Sequence, residues 1–398
     1  MSERRLTTFL AVLLGAVALM APCFIAGHPN VFPDTSAYHL VGQWFAEQAG
    51  LHIRGFGVVR HRDLALFFTM AGARSPYYGE LFFLVTAVGS AWAMAALQAL
   101  CASVLTALTL RVTQRGFRVR QFALVIGVLT VASTLPFFVS FLMPDVFLGL
   151  GGLAAILLLA YFGRLRRWER WALGVFLAAT LSFHATNPLA IIALVAVAAV
   201  ALVRKALPAR QTKAGLAMVI GALGVSVVAA ALYPLSVRAL AQRELDHPPF
   251  LTARLLADGP ARAYLRSACA DASPYVLCQF KDRPLTDAND ILWAITTKKG
   301  VFEPANYATR LALVHEERRF VVDAFEAHPL VTTWDLLVDA VHELTVVTVV
   351  DTLGYWDRAL VSHGPRFEPP FGPIRFCVRR PSYCYPTTLQ ILWDTLLN

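Results

Sequence analysis

Two proline–aspartate pairs stand beside long apolar runs of the sequence. Asp34 follows Pro33 after the first run, and Asp145 follows Pro144 between two later runs. An acidic side chain at the edge of an apolar segment is costly unless it is solvated or paired, so both aspartates are candidates for function. Each preceding proline fixes its own φ and helps to aim the aspartate. Helix N-capping is the alternative role, because aspartate before a helix is a common cap.

Arginine and tyrosine side chains follow in the polar stretch after the first apolar run. Arg60 and Arg74 offer forked donors that suit phosphate oxygens. Tyr77 and Tyr78 suit the boundary at which a lipid headgroup meets water. Anchoring is the alternative role for the arginines, which would then bind acidic headgroups or pair with nearby carboxylates.

A third polar group, which includes His184 and Asn187, interrupts an apolar hairpin. These two side chains could hydrogen-bond a substrate or orient Asp34; alternatively, the turn satisfies only its own backbone. The sequence contains no G-x-S-x-G, Walker loop, H-E-x-x-H or G-x-G-x-x-G motif. The chemistry indicated is therefore proton transfer and anion stabilisation by acids, arginines and a histidine from separate segments.

The elements that must position these residues are strongly apolar. The 398 residues are 57% hydrophobic and 15% charged, with a mean hydropathy of +0.57, whereas an average globular chain is about 45–50% apolar and about 25% charged. This composition excludes a disordered chain and a disulfide miniprotein, and predicts an all-α polytopic membrane protein with about seven transmembrane helices. An interfacial segment is predicted at about 79–89. The predicted spans lie at about residues 6–27, 90–111, 121–142, 146–162, 171–184, 188–203 and 214–236.

Charge determines the predicted topology. Lys and Arg concentrate near the N-terminus and on alternate connectors, and the positive-inside rule makes that side cytoplasmic. The N-terminus is then inside, whereas the loop 27–78, the Asp145 turn and the turn at 184–188 lie outside. Residues 1–236 have a net charge of +11 and residues 237–398 one of −2. The basic excess thus belongs to the membrane module, and no nucleic-acid partner is predicted.

Residues 237–398 have the composition of a soluble domain, which we predict to be extracytoplasmic and of mixed, mostly helical structure. Helices are expected near 307–327 and 331–350, with strand or loop elsewhere. Four cysteines in this part suit an oxidising compartment and two disulfides: Cys269, Cys278, Cys377 and Cys384. The local pairs 269–278 and 377–384 are predicted, although the sequence allows three connectivities and a zinc site is the rival interpretation.

This architecture resembles the GT-C superfamily of polytopic membrane glycosyltransferases, with motif similarity resting on Pro33-Asp34 and Pro144-Asp145. The resemblance extends over the whole chain and implies sugar transfer from a polyprenyl-phosphate donor to a lipid or glycan acceptor at the outer membrane face. It implies a catalytic role for Asp34, in the first outer loop, and a second acidic site at Asp145. The family can use a divalent metal such as Mg²⁺ or Mn²⁺. This sequence has no D-x-D motif, so no metal ligand or other cofactor is assigned.

Within that resemblance, each candidate residue has an expected role. Asp34 would deprotonate the acceptor hydroxyl, and Arg74, with Arg60, would stabilise the leaving phosphate. Asp145 and His184 would orient hydroxyl groups of the acceptor or the sugar.

Other functions fit parts of the same pattern. A lipid or glycan transporter or flippase would explain the spans and the arginines, although no internal repeat is visible. A non-catalytic envelope-glycan assembly protein would explain the exterior domain. A membrane acyltransferase would require more than a single histidine. The Ala-, Arg- and Leu-rich composition favours a bacterial inner membrane with the C-terminal domain in the periplasm, and a reticulum lumen fits the charges equally.

Overall fold

The computed structural model describes residues 3–52, 72–114, 116–270, 275–294 and 296–345. These residues form α-helices joined by turns and short 3₁₀ segments, and no strand occurs among them. The prediction of an all-helical fold is confirmed within these ranges. The C-terminal part was expected to contain strand or loop outside its predicted helices; its described portion contains further helices, a 3₁₀ segment and loops, and no strand.

The described residues fall into two compact units, each with its own hydrophobic core. Unit 1 contains residues 3–52 and 74–236, and unit 2 contains residues 72–73 and 237–345.

Unit 1 consists of short and long helices that enclose a core rich in Leu, Ala and Phe. Its helices are α1 (Glu3–Leu19), α2 (Ala21–Ala26), α3 (Pro33–Gln48), α4 (Pro76–Thr113), α5 (Val119–Val131), α6 (Leu135–Ser140), α7 (Val146–Tyr161), α8 (Arg167–Phe183), α9 (Asn187–Val203) and most of α10 (Ala209–Ala241).

Three of these helices are long and apolar enough to cross a membrane, judged by length and composition: α4, α7 with its 3₁₀ extension to Arg164, and α10. Shorter apolar helices occupy Arg5–Leu19, Val119–Val131 and Asn187–Val203. The three long helices suggest a membrane protein, in agreement with the composition.

Helix α4 is bent where the sequence predicts a boundary. Its 38 residues would measure about 57 Å if straight, nearly twice the apolar thickness of a bilayer. Ser90 interrupts the helix with φ 68° and ψ 178°, a conformation that residues other than glycine rarely adopt. The interruption at Ser90 coincides with the predicted boundary between the segments at about 79–89 and about 90–111.

Two predicted spans are each divided into two helices. The run predicted at 6–27 is split into α1 and α2, and the run at 121–142 into α5 and α6. In both cases a proline, Pro22 or Pro136, stands in the first turn of the second helix. Proline has no N–H to donate and is tolerated in a first helical turn, so it begins a new helix within an apolar run.

The polar stretch after the first run contains a helix that hydropathy alone does not predict. This helix, α3, packs against the start of α4, and the two backbones meet at Gly42 and Gly79. A Cβ atom added to Gly42 would overlap the Gly79 carbonyl group. The glycines thus allow the close approach that brings Tyr38 into edge-to-face contact with Tyr78, with 5.0 Å between ring centroids.

Unit 2 is built from helices around a core that includes the Cys269–Cys278 disulfide, whose Cα atoms are 5.6 Å apart. This predicted pair is confirmed, whereas Cys377 and Cys384 lie outside the described residues. The helix predicted at 307–327 occupies those residues, and the one predicted to begin at 331 begins at Pro329. The helices that follow α10 are α11 (Phe250–Asp258), α12 (Pro260–Ala268), α13 (Ala288–Trp293), α14 (Tyr307–Ala327) and α15 (Pro329–Thr345).

Candidate functional site

Four polar segments of unit 1, distant in sequence, are joined by side-chain contacts. They are the first turn of α3, the residues before α4, the turn before α7 and the turn between α8 and α9. Each contributes one member of what we call the polar cluster: Asp34, Arg74, Asp145 and His184. All four were predicted from the sequence.

Asp34 and Arg74 form an ion pair. The Arg74 side chain is 13% exposed and that of Asp34 is 30% exposed, so solvent reaches the pair from the carboxylate side. The Arg74 guanidinium carbon also lies 5.9 Å from the centre of the Tyr38 ring, one turn along α3 from Asp34. The pair is therefore covered on one side by the Tyr38 ring and open to solvent on the other.

Neither aspartate of the cluster caps a helix with its side chain. Phe32 occupies the N-cap position of α3, and its N–H donates to the Thr35 hydroxyl at 2.9 Å. Asp145 occupies the N-cap position of α7, but its side chain makes no capping hydrogen bond. The alternative role considered for both aspartates is thus not the one they perform in this structure.

Asp145 and His184 are electrostatically coupled to the ion pair. Asp145 is exposed yet closely flanked by protein, and desolvation raises the pKa of its carboxyl, an effect that the nearby His184 opposes. Desolvation lowers the pKa of His184, and the Asp145 charge partly offsets this. Arg74 and Asp34 act on the pKa of both residues. The cluster therefore combines an acid with raised pKa and a histidine that favours its neutral form.

The start of α3 is fastened to the segment that leads to Asp145. Asn30 and Phe141 form a parallel backbone bridge, in which the Asn30 N–H donates to the Ser140 carbonyl at 2.8 Å. The Thr35 hydroxyl donates to the Leu142 carbonyl at 3.2 Å. These bonds hold the two acidic segments side by side.

A buried glutamine of α4 supports the same segment, and sequence analysis missed it. The Gln98 amide donates to the carbonyls of Val139 and Phe141, at 2.8 and 2.7 Å, and its oxygen accepts from the Tyr78 hydroxyl at 3.2 Å. The only sequence signal is an amide side chain within an apolar run, and the structure shows that this amide is fully buried. Such a group must be hydrogen-bonded, because burying it without partners is costly.

The segments that carry Arg74 and His184 are also joined to each other. The Ser75 hydroxyl donates to the Ser182 carbonyl at 2.6 Å, beside the end of α8. The Asn187 amide is buried and donates to the Thr180 carbonyl at 2.7 Å, which closes the turn around His184. The four segments are therefore tied in pairs as well as by the Asp34–Arg74 ion pair.

Three residues predicted to bind substrate make hydrogen bonds within the protein. Tyr78 is fully buried and donates to Gln98, and the Tyr77 hydroxyl donates to the Ala229 carbonyl of α10 at 2.6 Å. Asn187 is committed to the backbone of α8, as the alternative interpretation of this turn expected. Arg60 lies outside the described residues.

Within the part of the chain that the structure describes, no group of three or more His, Cys, Asp or Glu side chains is arranged to hold a metal ion. Compared with known proteins, the chain matches no family model, no curated protein and no solved structure. The functional argument therefore depends on the polar cluster itself. Its ion pair can offer a carboxylate to a hydroxyl group and a guanidinium to a phosphate, within one small volume.

Proposed function

We propose that this chain is a GT-C-like membrane glycosyltransferase that transfers a sugar from a polyprenyl-phosphate donor to a lipid or glycan acceptor. The observation that supports this proposal is the Asp34–Arg74 ion pair beside Asp145 and His184. A base for the acceptor and a cation for the leaving phosphate are the two groups that this reaction needs from the protein.

In the proposed reaction, Asp34 takes the proton of the acceptor hydroxyl as its oxygen attacks the anomeric carbon. The bond from that carbon to the phosphate oxygen breaks, and polyprenyl phosphate leaves with the bonding electrons. The guanidinium of Arg74 binds phosphate oxygens in pairs and stabilises the charge that develops on them. Asp34 ends the cycle protonated and returns its proton to water on the exposed side of the pair.

Asp145 and His184 are proposed to orient hydroxyl groups. A neutral imidazole both donates and accepts a hydrogen bond, and the lowered pKa of His184 favours that form at neutral pH. Asp145 accepts from a sugar hydroxyl when ionised. Its raised pKa reflects lost solvation that a bound polar group would restore.

We further propose about seven spans, an inside N-terminus and an outward-facing cluster in a bacterial inner membrane. Asp145 precedes α7, and Arg164 follows it at the other end of a helix about 24 Å long. Near Arg164, Arg111 pairs with Glu169 at 2.6 Å. The cluster and the basic connectors thus lie at opposite ends of α7, as the positive-inside rule requires if the cluster faces outward.

The test is mass spectrometry of surface glycans and glycolipids from a strain that lacks the protein. The strain is complemented with wild type, Asp34→Asn, Asp145→Asn or the control Glu47→Gln, at equal expression. Glu47 lies in the last turn of α3, away from the cluster, and accepts from Gln43. We expect loss of one sugar unit, restored by wild type and Glu47→Gln. The Asp34→Asn variant should lose about 10²–10⁴-fold in transfer rate.

Two results would contradict the proposal. One is full transfer by both the Asp34→Asn and the Asp145→Asn proteins. The other is accumulation of a chemically complete glycolipid that all alleles clear equally, which would indicate transport.

A further inference from the structure

Helix α15 exposes a broad apolar face. The large apolar side chains of this face are 48–84% exposed: Leu330, Val331, Trp334, Leu337, Val338 and Val341. At 100° per residue they occupy about 120° of the helix circumference. We call these six residues the α15 face.

The polar side of α15 faces the other helices of unit 2. Asp339 pairs with Arg254 of α11, with 2.8 Å between Oδ2 and Nε, and Thr332 is only 2% exposed. An amphipathic helix of a water-soluble domain normally turns its apolar stripe towards the core. Helix α15 is oriented the other way, and a continuous apolar face of this kind marks an interaction site.

We propose that the α15 face lies in the interfacial region of the lipid bilayer, as an in-plane helix whose apolar side chains reach the acyl boundary. Unit 2 begins at residue 237, inside α10, which is one of the three helices long and apolar enough to cross a membrane. The unit is thus covalently continuous with a candidate membrane helix and stays near the bilayer. Trp334, near the middle of the face, is the residue type enriched at membrane interfaces.

Charge identifies the kind of lipid surface. Residues 329–345 contain Asp335, Asp339 and Glu343 but no Lys or Arg. Helices that bind anionic lipids carry basic residues on the polar face, and an acidic flank would be repelled by such a surface. The α15 face therefore fits zwitterionic lipid, and apolar burial rather than headgroup attraction holds it there.

The test places a photo-crosslinking amino acid, p-benzoyl-phenylalanine, in the full-length protein in phosphatidylcholine nanodiscs. Trp334 and Val341 are replaced separately, and Ala340 is the control. Ala340 is exposed on the same helix but about 120° from the centre of the α15 face. We expect lipid adducts at positions 334 and 341 with yields several-fold above those at 340, and little change when salt is raised.

Three results would overturn this proposal. Crosslinks within the chain would mean that another segment covers the face. Crosslinks between copies would mean that it is a dimer interface. Equal lipid yields at 334, 341 and 340 would mean that the face does not contact the bilayer. Retention of the Cys269–Cys278 disulfide in each variant verifies that unit 2 is folded, and the two independent positions guard against disturbance of α15 by one substitution.

Discussion

At the scale of single residues, Arg74 is coupled to every other member of the polar cluster. It pairs with Asp34 and acts on the pKa of both Asp145 and His184. The Arg74→Gln substitution leaves the Asp34 carboxylate without its cationic partner. We expect a loss of about 1–3 kcal/mol in unfolding free energy. Removing one partner of a fully buried ion pair costs about 3–5 kcal/mol, and the loss here is smaller because Asp34 retains access to solvent.

The matched control for this prediction is the double variant Arg74→Gln/Asp34→Asn. Removing both charges should recover most of the lost stability, since no uncompensated carboxylate remains. The measurement is a thermal or denaturant unfolding midpoint for wild type, the two single variants Arg74→Gln and Asp34→Asn, and the double variant. If the double variant is as unstable as Arg74→Gln alone, the ion pair is not the reason for the loss.

The raised pKa of Asp145 predicts a pH-dependent cost in stability. A carboxyl whose folded pKa lies above its unfolded pKa binds more protons in the folded state, so its contribution to stability is lost as pH rises through the folded pKa. Asp145→Asn removes this dependence while it keeps the shape of the side chain. We expect the variant to gain stability relative to wild type as pH rises from about 4 towards neutral.

Unfolding midpoints of wild type and Asp145→Asn across that pH range test the prediction, with Glu47→Gln as the control acid. If the difference in unfolding midpoint between Asp145→Asn and wild type does not change with pH, or changes in the opposite direction, the inference that Asp145 is desolvated is wrong. A gain in stability that accompanies lost transfer would be typical of a functional acid held in an unfavourable place.

Sequence reasoning found the charged members of the cluster but not their support. Asp34, Asp145 and His184 each border an apolar run, and a charge at the end of a span is visible in the sequence. The role of Gln98 depends on which turn its amide reaches, namely Val139 and Phe141 some forty residues later. That is a tertiary relation, and neither spacing nor composition encodes it.

At the scale of elements, the crossing of α3 and α4 positions both halves of the ion pair. Gly42→Ala would force a Cβ into the Gly79 carbonyl, which is backbone and cannot rotate away. We expect destabilisation of about 1–3 kcal/mol or more, because overpacking against backbone must displace a helix. The displacement would also separate Asp34 from Arg74, so transfer should fall together with stability.

The control is Gly127→Ala in α5, where an added Cβ meets nothing within 4 Å. This change should be neutral or stabilise by about 0.5–1 kcal/mol, because alanine loses less backbone entropy than glycine in a helix. Unfolding midpoints of the two variants provide the comparison. Equal effects at positions 42 and 127 would mean that the Gly42–Gly79 approach does not set the helix crossing.

Element boundaries were predictable where an apolar run is uninterrupted. Helix α7 lies at Val146–Tyr161 against a prediction of about 146–162, because its run ends in charged residues at one side and a proline–aspartate turn at the other. The runs that contain Pro22 and Pro136 were predicted as single spans, since hydropathy does not register a proline that begins a new helix. Helix α3 was not predicted because its polar residues leave it without the continuous apolar run from which the other helices of unit 1 were predicted.

At the scale of the whole molecule, composition and charge were the most informative properties. The apolar excess predicted helices long enough to cross a membrane, and three are present. The short segments of unit 2 were harder to predict, since apolar runs of a few residues do not distinguish strand from buried helix. The Cys269–Cys278 pair was predictable because cysteines nine residues apart, in a part assigned to an oxidising compartment, readily meet.

The proposed topology makes a prediction about access to the two sides of the membrane. Lys298 is exposed in unit 2, and Arg167 is exposed on a basic connector of unit 1. If unit 2 is extracytoplasmic, a membrane-impermeant maleimide added to intact spheroplasts will label Lys298→Cys but not Arg167→Cys. Permeabilisation should then allow labelling of both, because both positions are open to solvent. The native cysteines of α2 and α4 are buried or half-buried, and wild type provides their background.

The physical basis of this prediction is twofold. Arginine and lysine resist translocation, so the connectors that carry them stay inside. A disulfide such as Cys269–Cys278 persists in an oxidising compartment and is rare in the cytosol. The two arguments are independent, and they give the same side for unit 2. If Arg167→Cys is labelled in intact spheroplasts and Lys298→Cys is labelled only after permeabilisation, the topology is the reverse of the proposed one. The polar cluster would then face the cytoplasm, and the proposed use of an outward-facing lipid-linked donor would be wrong.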